Sequence, residues 1–158
     1  MRITIAAIGR LKSGPESELV RRYLARAEAE GRRIGIDVRI REFPEGRSGS
    51  AAVRKAEEAR ALAHAAPAEA SVVVFDERGK GLTSAEFAVL VGRMRDRGRD
   101  LVLVVGGPDG IDDSLRERAD AVLSFGKATL PHRLVRVLVA EQVYRAATIL
   151  SGHPYHRA

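Results

Sequence analysis

The chain has 158 residues, of which 45% are hydrophobic and 30% are charged, and its net charge is +6. These values fit one soluble globular domain of ordinary size, and no apolar run approaches the ~18 residues of a membrane span. The absence of cysteine excludes disulfides, thiolate metal sites and cysteine nucleophiles. The positive charge favours an anionic partner such as a nucleic acid, and the lack of an export signal predicts a cytoplasmic protein.

Five apolar runs alternate with helical patterns, which is typical of an α/β domain with a mostly parallel sheet and helices on both faces. The predicted strands cover residues 3–9, 36–40, 72–76, 101–105 and 121–125. The predicted helices cover residues 15–33, 50–65, 83–97, 113–118 and 134–150. The second strand alternates apolar and charged residues, so we expect it at an edge of the sheet. Because no linker or repeat interrupts the pattern, residues 1–158 are predicted to form one domain.

Local signals mark three helix starts and one loop. Pro15 suits the first turn of a helix, and Ser50 is predicted to cap the second helix. Thr83 with Glu86 three residues later makes a capping box for the third helix. Residues 77–82 are charged and contain two glycines, which indicates a loop after the third strand.

Two glycine-bearing turns follow strongly apolar strands. Residues 106–110 read Gly-Gly-Pro-Asp-Gly after the fourth strand, and residues 126–131 follow the fifth. Ligands of open α/β sheets bind beyond the carboxyl ends of the strands. Together with Phe75 at the end of the third strand, the two turns therefore predict one backbone-rich cleft. Such a cleft suits a flat, partly hydrophobic ligand such as an adenine nucleoside, and the alternative is a pair of plain connecting loops.

Several familiar site patterns are missing from the sequence. Residues 9–14 have neither the glycine spacing of a dinucleotide-binding turn nor the Gly-Lys-Ser/Thr ending of a phosphate-binding loop. Ser48 lacks the strand–turn–helix context of a nucleophile elbow. His153 and His156 flank a proline and have no nearby carboxylate, so no metal site is predicted.

The last eight residues, 151–158, concentrate side chains that suit a functional tail. They include His153, Tyr155, His156 and Arg157. Tyrosine and histidine can stack on a nucleic-acid base, and arginine can bind a phosphate. A disordered chain end is the alternative interpretation.

The ordered motifs of the chain resemble those of one protein family. They are Leu103 to Gly110 (Leu-Val-Val-Gly-Gly-Pro-Asp-Gly), Thr129 to His132, Leu134 to Ala146, His153 to Arg157 and the loop Phe43-Pro44-x-Gly46. In this order they resemble the ribosomal RNA large-subunit methyltransferase H family, the smallest SPOUT-class enzymes. The resemblance spans essentially the whole chain.

This resemblance implies methylation of N3 of a pseudouridine in large-subunit ribosomal RNA, with S-adenosylmethionine as the cofactor and no metal. It also implies a homodimer whose C-terminal segment is threaded as a trefoil knot, whereas periodicity alone favours a flavodoxin-like fold. Carried over by position, the cofactor residues are Phe75, Gly106, Gly107, Gly126, Lys127, Ala128, Thr129, Leu130 and Pro131. The catalytic residues implied are His153, Tyr155, His156 and Arg157.

Methylating an imide nitrogen requires alignment with the methyl donor and loss of the N3 proton. Neutral His153 or His156 can accept that proton near pH 7. Alternatively the proton leaves to water, and Arg133 or Arg157 stabilises the resulting anion. Two other functions stay open: a ribosome-binding module without activity, and a flavin- or nucleotide-binding protein.

The last predicted helix is more apolar than one small sheet requires, which predicts that it lies in a dimer interface. The residues behind this prediction are Leu134, Val135, Leu138, Val139 and Val143.

Overall fold

The computed structural model describes residues 1–156 and has an α/β fold. Its elements are β1 (Arg2–Ile8), α1 (Pro15–Arg33), β2 (Asp37–Phe43), α2 (Ala51–Ala63), β3 (Ser71–Gly81), α3 (Ser84–Asp96), β4 (Leu101–Val105), α4 (Asp113–Arg118), β5 (Ala121–Ser124) and α5 (His132–Ser151). The five strands pair in parallel in the order β2-β1-β4-β3-β5. The predicted parallel α/β fold is thereby confirmed, with β2 at an edge.

Two apolar layers cover the sheet, one on each face. On one face β-strand side chains pack with residues of α1, α3 and α5, including Ala27, Val91 and Val143. On the other face they pack with α2 and α4, including Leu62 and Leu115. The sheet is therefore buried on both sides, as its β-branched central strands predict. Within residues 1–156 no helix has the length and apolar character that crossing a membrane requires.

The start of the first helix at Pro15 and the capping box are confirmed, whereas the predictions for Ser50 and for the start of the last helix need correction. Thr83 accepts from the backbone N–H of Glu86, whose carboxylate accepts from the N–H of Thr83. Ser50 is the residue before α2, yet its hydroxyl makes no capping hydrogen bond. The last helix begins at His132 rather than Leu134, because residue 131 is a proline that precedes the first helical turn.

The prediction of a loop over residues 77–82 is wrong. The strand β3 continues to Gly81 and pairs with β5 twice, first through Phe75 and again through Lys80, both opposite Leu123. A Cβ on Gly79 would lie 2.4 Å from the backbone carbon of Leu123, so only glycine permits this close crossing. The sequence does not predict this part of the strand, because the extension is largely exposed and therefore has charged residues instead of an apolar run.

Candidate active site

A cleft of about 570 Å³ lies beyond the carboxyl ends of β3, β4 and β5. Both glycine turns line it, although β4 and β5 are not neighbours and β3 separates them. Eight of the nine predicted cofactor residues line this cleft; Lys127 does not. The eight are Phe75, Gly106, Gly107, Gly126, Ala128, Thr129, Leu130 and Pro131.

Aromatic and aliphatic side chains form one wall of the cleft. The ring of Phe125 stacks on that of Phe75, with centroids 5.1 Å apart and planes 9° apart. Phe75 is buried, whereas Phe125 remains 36% exposed. Because Phe125 lines the cleft with so much free surface, it offers a planar apolar face to a ligand.

The glycines of the two turns serve different purposes. A Cβ on Gly106 would lie 2.7 Å from Ile111 Cδ1, and one on Gly107 would lie 2.8 Å from Ile8 Cγ2. These two glycines therefore allow the turn itself to close. Gly110 and Gly126 have φ angles of +84° and +136°, and a Cβ on either would meet no protein atom within 4 Å. There the backbone conformation requires glycine, and space beside it stays open.

Charged side chains surround the apolar wall. Asp76 and Arg116 form a partly buried ion pair of 2.7 Å, and Arg116 also donates to the carbonyl of Ile111. The Thr129 hydroxyl donates to Glu77 at 3.0 Å, which joins the exposed extension of β3 to the second glycine turn. Both loops are thus tied to fixed elements, and the cleft has a defined shape.

His132 belongs to the Thr129–His132 motif, but the sequence predicts no role for it. It lines the cleft at the start of α5. Burial, helped by the positive charge of Arg136 and Arg133, lowers the pKa of His132 below its ordinary value. The imidazole is therefore neutral near pH 7 and has proton-accepting capacity.

Arg136 anchors this end of α5 from inside the protein. Its side chain is fully buried and donates to Glu42 Oε1 and to the carbonyl of Ile8, each at 2.6 Å. These bonds join the second turn of α5 to the carboxyl ends of β2 and β1. Helical spacing alone could not identify this residue, because arginine at such a position normally faces solvent.

The C-terminal tail packs on α5, away from the cleft of its own chain. The Tyr155 ring lies 4.5 Å from the Tyr144 ring and 4.8 Å from the guanidinium carbon of Arg145. Its hydroxyl donates to Glu141 at 3.2 Å, and its backbone N–H donates to His153 Nδ1. His156 Nδ1 is buried and has no hydrogen-bond partner within the described residues. Arg157 lies outside the described residues.

The length of α5 explains why tail and cleft are apart. The helix has 20 residues, which corresponds to about 30 Å at ~1.5 Å per residue. His132 at its start lines the cleft, whereas Gly152 ends it in a left-handed conformation. Although the tail turns back to reach Glu141, no described tail residue lines the cleft of the same chain.

A buried carboxyl group lies directly behind the first glycine turn. Glu58 is 4% exposed, its Oε1 accepts from the N–H of Gly46, and its Oε2 lacks a partner within the described residues. Burial raises the pKa of Glu58 above its ordinary value. A group whose pKa is raised on folding makes the folded protein more stable at low pH. For Glu58 this contribution to the free energy of unfolding is fully present below the ordinary carboxyl pKa, and it is lost as pH rises through the folded-state pKa.

We therefore expect Glu58→Gln to raise the melting temperature at pH 7.5 by about 2–4 °C. The amide keeps an acceptor for Gly46 and removes a buried negative charge. Melting curves between pH 4 and 8 test this, since the gain should shrink as pH falls and Glu58 of the parent protein becomes protonated. Glu69→Gln, at an exposed position, is the control. A gain that is independent of pH would contradict the explanation.

The fold and site define a class of protein: a parallel α/β sheet with a glycine-lined ligand cleft beyond its carboxyl ends. The sequence profile described as "Predicted SPOUT methyltransferase" matches residues 1–156. The chain is 54% identical to the "Ribosomal RNA large subunit methyltransferase H" of Allorhizobium ampelinum and 51% identical to the protein of that name from Brucella anthropi. Both alignments cover 100% of this chain and of the relative.

A third relative with the same name, from Rhizobium meliloti, is 54% identical over its full length. The chain belongs to the SPOUT methyltransferase family, and within it to the ribosomal RNA large-subunit methyltransferase H group. The resemblance inferred from the glycine turn, the 129–132 segment and the tail is thereby confirmed.

Proposed function

We propose that this protein transfers a methyl group from S-adenosylmethionine to N3 of a pseudouridine in large-subunit ribosomal RNA. The observation that carries the proposal is the cleft in which two glycine turns converge behind the stacked rings of Phe75 and Phe125. The names of the full-length relatives support ribosomal RNA as the substrate. Acting on that substrate, the protein works in the cytoplasm.

The cleft fits the chemistry of this cofactor. Its volume of about 570 Å³ is within the range of small-ligand sites, and the apolar wall suits an adenine ring. The open space beside Gly110 and Gly126 lets a ligand approach the backbone. Glu77 supplies a carboxylate at the rim for the cationic end of the ligand. When bound, S-adenosylmethionine supplies an activated methyl group, and the protein aligns it with the nucleophile.

The remaining chemical task is to accept the N3 proton. His153 and His156 of the tail are the candidates from the sequence, and His132 is a third because it already lines the cleft. Arg133, exposed next to His132, and Arg157 can stabilise the anionic base instead. In this proposal Tyr155 chiefly anchors the tail, because Tyr144, Arg145 and Glu141 already engage its ring and hydroxyl.

We propose that the tail acts on the cleft of a second copy in a homodimer. Leu134 and Leu138, one turn apart on α5, remain 43% and 37% exposed and lie on the helix that begins at the cleft. Val139 and Val143, which also suggested a dimer, are instead buried in the core of the chain. We therefore propose that only the exposed leucine face, formed by Leu134 and Leu138, lies in the interface. This face is next to the cleft on which the tail of the second copy would act.

We also propose that the C-terminal segment is threaded as a trefoil knot. The extension of β3 crosses β5 closely at Gly79, and the chain then returns from the edge strand β5 to pack α5 against α1 and α3. In the proposed knot the C-terminal segment passes through a loop of the chain that this close crossing helps to form.

Phe125→Ala is expected to weaken S-adenosylmethionine binding by roughly tenfold, within the ~1–3 kcal/mol of an aromatic–base contact. The side chain is partly exposed, so its removal should disturb the core little. Calorimetric titration measures the change, and Val89→Ala, which removes an exposed apolar side chain from α3, is the control. Flavin mononucleotide is titrated in parallel. Unchanged cofactor binding, or binding of the flavin alone, would contradict this assignment of the cleft.

Association with ribosomal particles is expected to weaken by about tenfold or more between 50 and 200 mM salt, through release of counterions from phosphates. The net charge of +6 motivates the expectation. Filter binding to purified large subunits across that range measures the salt slope. A flat response would mean that the basic residues form only a solvated surface. Firm binding without methyl transfer would favour the inactive ribosome-binding module.

A further inference from the structure

The loop of residues 44–49, part of the Phe43-Pro44-x-Gly46 motif, has no role in the site described so far. It lies against α2, and a Cβ on Gly46 would be 2.8 Å from the Cα of Arg54. The N–H of Gly46 donates to Glu58, and the Ser48 hydroxyl donates to Glu57 at 2.6 Å. Two hydrogen bonds and the close approach of Gly46 to Arg54 therefore fix this loop on one helix.

The side chain of Arg54 connects that loop to the first glycine turn. Its Nε and Nη2 donate to the two carboxylate oxygens of Asp109 at 2.7 and 2.9 Å. Its Nη1 donates to the carbonyls of Ser48 and Gly49 at 2.8 and 3.2 Å. One half-buried guanidinium thus spans two loops that are far apart in the sequence. Only the planar fork of arginine provides donors in this arrangement.

Asp109 is the side-chain link between α2 and the turn. The turn itself has a single internal backbone bridge, in which the N–H of Gly110 donates to the carbonyl of Gly107 at 3.0 Å. The φ angle of +84° at Gly110 means that the turn must hold an uncommon backbone conformation. Fixing both oxygens of Asp109 restrains the segment between the two glycines.

We propose that Arg54 is a positioning residue, which holds the 106–110 turn, through Asp109, in the conformation that receives the methyl donor. Arg54 itself need not touch the ligand. The same side chain couples the turn to the 44–49 loop, so displacement of that loop loosens the cofactor site. This inference rests on the proposed function, because it takes S-adenosylmethionine as the ligand of the turn.

The test compares S-adenosylmethionine binding and steady-state kinetics in Arg54→Met, Asp109→Ala and the double variant. Each single variant should weaken binding about tenfold, and the double variant no further, because both changes remove one connection. The KM for the cofactor should rise while kcat at saturating cofactor stays near the parent value. Arg54→Lys, which keeps the charge but loses the fork, should recover only part of the affinity.

Two further variants separate positioning from general stability. Arg60→Met removes an exposed arginine from the same helix and should change neither KM nor affinity. Gly46→Ala, which pushes on Arg54 from the loop side, should weaken cofactor binding although it lies outside the cleft lining. Hydrogen exchange at residues 106–110 should quicken in Arg54→Met. A loss of folded protein alone would lower the active fraction and leave the affinity of the remainder unchanged.

The outcomes are distinguishable. If the parent protein does not bind S-adenosylmethionine, the proposed function fails. If the parent binds and Arg54→Met or Arg54→Lys binds equally well, the positioning role is overturned. Additive losses in the double variant would also overturn it, since Arg54 would then not act through Asp109. Should Arg54→Met fail to fold, Arg54→Lys and Asp109→Asn decide the question by the same binding measurement.

Discussion

Replacing His153 and His156 together by alanine is expected to slow single-turnover methyl transfer by about 10²–10⁴-fold, the usual contribution of a general base. Cofactor affinity should stay near the parent value, because the residues that line the cleft, including Phe75 and Gly126, are unchanged. The melting temperature should also change little. Tyr155 remains in place to hold the tail through Tyr144 and Glu141.

Deleting residues 153–158 would be a poorer experiment. It removes Tyr155, which packs against the core, so a fall in stability would accompany any loss of catalysis. His132→Gln is made in parallel to test the third candidate proton acceptor, because it removes the neutral imidazole already in the cleft. If His132→Gln abolishes transfer while the tail variant is fully active, the proton acceptor is His132. If both are fully active, the proton leaves to water.

Most of the fold could be predicted because local pattern and tertiary environment agree. β4 is fully buried, so its continuous apolar run is a dependable signal, and the alternation in β2 correctly predicts an edge strand. The β3 extension could not be predicted from pattern. Its pairing depends on the close approach of Gly79 to Leu123, and nothing in the charged sequence 77–82 records that contact.

The candidate site was also only partly predictable, because some of its contacts join residues that are distant in the sequence. Glycine turns after apolar strands are local signals, and their place at one edge of a parallel sheet follows from topology. The bonds from Arg54 to Asp109 and from Arg136 to Glu42 join residues distant in sequence, and surface arginines have the same local pattern. The close packing of Ile111 beside Gly106 is likewise a contact that the local pattern does not record.

The packing of Ile111 beside Gly106 decides which substitution can test the cleft. Gly106→Val would collide with Ile111 and with the carbonyl of Gly110, so lost binding would report a distorted turn. Phe125→Ala removes exposed apolar surface from the cleft without such a collision. A substitution chosen by its contacts with the protein, rather than by its position in a motif, distinguishes lost ligand contact from a distorted turn.

Mixing two inactive variants is expected to restore activity if the tail of one copy serves the cleft of the other. The first carries Phe125→Ala together with Ala128→Trp, which places a bulky side chain in the cleft from a position with an ordinary backbone conformation. The second carries His153→Ala and His156→Ala. After subunit exchange, half of the dimers are mixed and each has one complete site, so about one quarter of the parent activity should return.

Each variant must first be shown to be a dimer by light scattering. A monomeric mass at micromolar concentration would contradict the homodimer directly. Leu134→Asp with Leu138→Asp should prevent the restoration, because charges on the exposed leucine face oppose association. If the variants exchange subunits and the mixture stays inactive, the tail serves its own chain. It would then have to leave the contacts with Tyr144, Arg145 and Glu141 and move along about half of α5 to reach the cleft.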